Sequence, residues 1–136
     1  MKNQLLQHCK NIGVLVILCP LILTIVLTAC GTSYDGSRMG NADAFLMDYK
    51  IFNSTASQDL TITAGDTLHV EIVVTGGSLS YKIQKTDDTE PLYEETSVSA
   101  SDEFDLEIEE SGTYTITVTG KKAKGSVHFT VYSNDQ

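Results

Sequence analysis

Three kinds of side chain here could do chemistry: thiols, imidazoles and crowded carboxylates. The cysteines are Cys9, Cys19 and Cys30, and none follows position 30. The chain beyond Cys30 therefore holds no disulfide and no thiolate zinc or iron–sulfur centre. Its histidines are His69 and His128. A Ser or Thr nucleophile needs a base beside it, usually His. Both histidines fall on polar faces of predicted strands, with no G-x-S-x-G elbow nearby. Neither the i, i+4 nor the H-x-H spacing of a zinc pair is present. They read as ordinary surface histidines. Asp102, Glu103, Asp105, Glu107, Glu109 and Glu110 crowd one segment, and Asp87, Asp88 and Glu90 sit in the loop before it. Calcium takes roughly six to eight oxygen ligands, which makes Asp87, Asp88, Glu90, Asp102, Glu103 and Asp105 its candidates. Against calcium, alternate carboxylates on a strand stand about 7 Å apart, and the D-x-D-x-D-G loop is missing. A solvated acidic strand face is the simpler reading. A paired-carboxylate glycosidase would need an aromatic cleft beside the acids, and none accompanies them. The chain reads as a non-enzyme without a cofactor.

The segment that must place Cys30 is the N-terminal one. No charged residue occurs from Asn11 to Tyr34, and Ile12 to Leu27 is nearly all apolar. Lys2 and Lys10 precede it. A basic start before an apolar run is the layout of a signal peptide, because the run partitions into the bilayer while the positive start stays inside. The run ends Leu27-Thr28-Ala29-Cys30-Gly31. This ending resembles the lipobox of bacterial lipoproteins. The resemblance implies a diacylglycerol thioether on Cys30 and cleavage between Ala29 and Cys30. The other reading is an uncleaved anchor, since the 18 residues from Ile12 to Ala29 just span a hydrocarbon core of ~30 Å. Both readings put the bulk of the chain outside the cytoplasm.

The 136 residues carry 18 acidic and 9 basic side chains, a formal charge of −9. Such a chain repels nucleic-acid phosphates, so nucleic acid is not an expected partner. Removal of residues 1–29 takes away Lys2 and Lys10 and no acid, leaving 107 residues with a side-chain balance of −11. That net charge is expected to keep the domain soluble and off anionic headgroups. Apolar residues make up 41%, enough for a packed core.

Residues 30–43 hold Gly31, Gly36 and Gly40 with little periodicity and read as a flexible linker, with a reach of about 20 Å. From Phe45 onward alternation has period two. Phe45, Met47, Tyr49 and Ile51 share a face. Leu60 and Ile62 follow, then Leu68, Val70, Ile72 and Val74. Gly76-Gly77 signals a hairpin into Leu79, Tyr81 and Ile83. Leu92-Tyr93 begins a short strand, and Phe104, Leu106 and Ile108 alternate with acids. Tyr114, Ile116 and Val118 alternate with Thr113, Thr115, Thr117 and Thr119. Gly120 to Gly125 reads as a turn, and Val127, Phe129 and Val131 close the chain. The expected fold is all-β: an antiparallel β-sandwich of about seven or eight strands over 44–136, after an N-terminal apolar signal helix (1–29) and a tether (30–43).

The order Ala64-Gly65-Asp66-Thr67-Leu68, then Ser111-Gly112-Thr113-Tyr114, then a hairpin into Gly125-Ser126-Val127 is similar to two families. They are the bacterial pre-peptidase C-terminal domains and the GOLD-type sandwiches. The resemblance implies an accessory binding module with no catalytic residue to transfer. The expectation is thus a lipoprotein held on the extracytoplasmic face of the cell membrane through Cys30. Its sandwich acts as a binding or interaction module for an extracytoplasmic protein or carbohydrate. The alternative is a structural or envelope-stress lipoprotein without a small-molecule ligand.

Overall fold

Alternating apolar and polar residues produce seven antiparallel strands and no helix among the described residues, which are 31–134 of the computed structural model. The signal peptide, the lipobox and Cys30 lie outside them. The strands are β1 (Tyr34–Gly40), β2 (Ala44–Phe52), β3 (Thr55–Ile62), β4 (Thr67–Lys85), β5 (Tyr93–Val98), β6 (Asp102–Glu107) and β7 (Gly112–Tyr132).

β4 and β7, of 19 and 21 residues, run antiparallel along each other from Thr67↔Tyr132 to Lys85↔Tyr114. β2 and then β3 pair along the far side of β7, meeting its C-terminal and N-terminal halves in turn. β5 and then β6 do the same along β4. β1 pairs with β2 at one edge. The long ribbon breaks register between Val74 and Gly76 and between Gly76 and Ser78, level with the β2–β3 and β5–β6 breaks. The sheet bends there, along one crease that β4 and β7 cross and at which the shorter strands end. One half is β1-β2-β7-β4-β6 and the other β3-β7-β4-β5.

The apolar faces of the two halves share one core, which includes Phe45, Met47, Val70, Ile72 and Phe129 from the first and Leu60, Tyr81, Ile83, Tyr114 and Ile116 from the second. Rings meet across it: Tyr81 and Phe129 at 6.0 Å between centroids, Tyr93 and Phe104 at 4.9 Å. Burying large apolar side chains is the main stabilising term, at about 1.5–3 kcal/mol each. One open side is closed by Arg38, whose guanidinium lies 5.2 Å from the Phe45 ring centroid and donates to the Ser57 carbonyl at 2.6 Å. Thr61 N–H also donates to Ala42 O at 2.8 Å. Both contacts cover the β3 edge, which would otherwise offer free backbone groups to another chain.

Four expectations change. Tyr34–Gly40 lies within the stretch read as a flexible linker, yet it forms β1, and the folded unit begins at Thr32. Gly36 packs so closely on Asp48 and Tyr49 that a Cβ would overlap their backbone. The glycine that suggested flexibility permits strand contact instead. Gly76-Gly77 is not a hairpin, and Gly120 to Gly125 is not a chain-reversing turn, because β4 and β7 each pass through the crease unbroken. Glycine bends a paired ribbon as readily as it reverses a single chain. Ile51 is 37% exposed, since a register shift between Tyr49 and Phe52 turns Phe52 into the core in its place.

Candidate functional site

The crease leaves the strand ends at the opposite pole, and a cleft of about 480 Å³ opens there. Two connections build it. Between β4 and β5, Asp88 N–H donates to Lys85 O at 3.1 Å and Leu92 N–H to Ile83 O at 2.8 Å. Between β6 and β7, buried Ile108 exchanges backbone bonds with Gly65 and Asp66 at 2.7 and 2.9 Å. Tyr114, at the start of β7, reaches back with its hydroxyl to Glu110 O at 2.6 Å, a corner device that suits sandwich turns.

The cleft is lined by Asp88, Glu90, Glu107, Glu109 and Glu110 together with Pro91, Leu92 and Tyr114. Lys85 Nζ stands 2.6 Å from Glu110 Oε2. That hydrogen bond holds the Glu110 carboxyl below its ordinary value and the Lys85 ammonium above its own. Four carboxylates remain around Leu92, which is 51% exposed. Acids around an apolar patch suit a lysine or arginine side chain, whose stem lies on Leu92 while its head meets the carboxylates.

The histidines lie on the outer face of the first half, each between carboxylates. His69 Nδ1 is 2.6 Å from Asp105 Oδ1, and its Nε2 is 3.4 Å from Glu103. His128 stands 3.3 Å from both Glu71 and Asp48. Register causes this: His69 pairs with Asp105, and Glu71 with His128. The Asp105 hydrogen bond raises the His69 imidazole above its ordinary value near 6.5. These are strand-to-strand ties on the polar face expected for both histidines. Cross-strand partners leave no trace in sequence spacing, so the ties were not legible.

The six calcium candidates are scattered. Asp88 and Glu90 line the cleft while Asp87 does not. Asp102 opens β6 beside the crease and accepts from Glu103 N–H at 2.9 Å. Glu103 and Asp105 are occupied with His69. Among the described residues, no group of three or more His, Cys, Asp or Glu side chains could hold a metal ion. The acids Glu107, Glu109 and Glu110, read as strand face, instead join Leu92 and Tyr114 at the cleft. The alternate threonines of β7 form an outer hydroxyl ladder with β3: Thr119 with Thr55 at 2.9 Å, Thr117 with Ser57 at 3.2 Å, and Thr115 donating to Asp59 at 2.7 Å.

No protein-family model matches the chain, and no curated protein does either. Among solved structures it is similar to PliG of Aeromonas hydrophila, a periplasmic lysozyme inhibitor of g-type lysozyme. The identity is 16% and the TM-score 0.44, over 79% of this chain and 93% of that one. A likeness this slight transfers no residue and no activity.

Proposed function

We propose that the chain is a lipoprotein of the extracytoplasmic membrane face that binds a cationic segment of a protein partner and catalyses no reaction. The cleft carries this reading: Asp88, Glu90, Glu107 and Glu109 surround exposed Leu92 at the pole away from the crease. Charge complementarity of this kind steers encounter and selects partners of opposite sign. The Leu27-Thr28-Ala29-Cys30 ending supports the anchor.

Calorimetry with the full chain would use a Lys/Leu decapeptide and its Glu/Leu counterpart as probes. Binding of the Lys/Leu peptide should weaken at least tenfold in the Glu107→Lys/Glu109→Lys variant, and again as salt screens the charges. Equal binding of both peptides would sink the cleft reading and favour a structural envelope lipoprotein. Metabolic fatty-acid labelling of the full chain and its Cys30→Ala variant tests the anchor separately. Equal labelling of the two would remove it.

A further inference from the structure

The charges of this acidic chain are sorted by the fold. Seven basic residues follow position 30: Arg38, Lys50, Lys82, Lys85, Lys121, Lys122 and Lys124. Four of them, Lys50, Lys121, Lys122 and Lys124, sit at the crease, where β2 ends beside the bend of β7. All four are exposed, and none forms an ion pair with a described residue. The acids at this level are Asp35 and Asp102, on the edge strands β1 and β6, and Asp48 on β2, which stands 3.3 Å from His128. The acidic cleft occupies the other pole.

The chain also enters the domain at the crease. Ser33 O accepts from Asn53 N–H at 2.7 Å, and Asn53 Oδ1 accepts from Lys122 N–H at 3.0 Å. Since β1 starts at Tyr34, only Gly31, Thr32 and Ser33 separate it from Cys30. Three extended residues reach about 10 Å. An anchor at Cys30 would therefore hold this pole, and not the cleft, within about 10 Å of the headgroups, comparable to the Debye length of about 8 Å at physiological salt.

We propose that Lys50, Lys121, Lys122 and Lys124 form a docking surface for anionic phospholipid headgroups, seating the crease on the membrane with the acidic cleft facing outward. The inference rests on the anchored reading above. It reverses the expectation from net charge, because a surface responds to the nearest charges and distant acids are screened.

Acetylation of the full chain in vesicles tests it, read lysine by lysine by peptide mass spectrometry. Phosphatidylcholine vesicles would be compared with ones containing about one-third phosphatidylglycerol. A lysine near an anionic surface gains roughly fivefold in partitioning. Modification of Lys121, Lys122 and Lys124 should slow by about that factor in anionic vesicles, while Lys85 at the cleft pole reacts equally in both. In a Lys121→Glu/Lys122→Glu/Lys124→Glu variant, the protection of Lys50 should disappear. The mass of the N-terminal peptide reports lipid on Cys30 in the same sample. Equal reactivity of the crease lysines in both vesicles, with lipid present, would overturn the docking surface and leave the anchor standing. Protection without lipid would keep the surface and remove the lipid anchor. Equal slowing of Lys85 would also overturn the proposal, since the whole domain would then be shielded.

Discussion

Tyr114 and its neighbour Thr115 measure how sharply the two faces of β7 differ. Tyr114 is 4% exposed with its hydroxyl bonded to Glu110 O, while Thr115 sits outside and donates to Asp59. Tyr114→Ala should cost roughly 3–5 kcal/mol, the range for large aromatics cut from cores. Thr115→Ala should cost about 1 kcal/mol or less, one outer hydrogen bond. Urea melts of the two variants decide, and a costlier Thr115→Ala would invert the faces. His69 makes a pH-dependent contribution. Its folded-state pKa is raised, first by the Asp105 hydrogen bond and then by the nearby carboxylates. That stabilisation is fully present below about pH 6.5, the unfolded value, and is lost as pH rises through the folded value. The gap in urea midpoint between the wild-type chain and Asp105→Asn should thus narrow as pH rises above about 6.5. A gap that widens with pH would contradict the pairing. Tyr49 adds an unspent polar group: burial pushes its phenol up to about 12, and its hydroxyl has no partner among the described residues.

At the scale of elements, the crease is the decisive feature, and glycine makes it possible. Gly77 and Gly125 have φ of 67° and 137°, where a side chain is strained. A Cβ on Gly77 would fall on the Lys122 carbonyl, and one on Gly125 on the Val73 carbonyl. Gly65 in the β3–β4 turn also has positive φ, 94°, but open space around it. Gly65→Ala should therefore cost only the backbone term, about 1–2 kcal/mol. Gly125→Ala meets that term and a backbone clash, and should exceed it by about 1 kcal/mol or more. Thermal melts of the two variants compare them directly. Equal losses would mean the crease has room to relax.

At the scale of the molecule, β1 belongs to the folded unit. Its Tyr34 ring meets Phe52 edge-on at 5.9 Å, and Arg38 covers Phe45. A fragment of residues 44–136 lacks both contacts and leaves β2 as an unprotected edge. It should be less stable than residues 31–136 by about 2 kcal/mol or more, since each large apolar contact surface contributes on that order. Domains of this size bury a smaller share of their surface than larger ones, so such a loss is a sizeable part of the total. Guanidinium melts of the two fragments test it, and coincident curves would return Tyr34–Gly40 to the role of tether. A chelator should shift neither melt.

The alternation of side chains alone determined that this is an all-β protein, and it named most of the core. Period two follows from strand geometry, so Leu68, Val70 and Ile72, or Tyr114, Ile116 and Val118, could be assigned inward from sequence. Where each run of alternation stops was equally legible, as at Gly76-Gly77 and Gly120 to Gly125. What happens at those stops was not. A glycine pair permits a reversal or a bend, and the choice depends on whether a neighbouring strand bends at the same level. β4 and β7 bend together, and that pairing joins residues about 50 positions apart. Tertiary structure likewise decided the electrostatics. Composition counts charges, but only the folded sheet places Lys121, Lys122 and Lys124 beside the chain entry and Glu107 and Glu109 at the far pole. Charge acts over about a nanometre, a distance that chain order cannot report once the sheet has folded over.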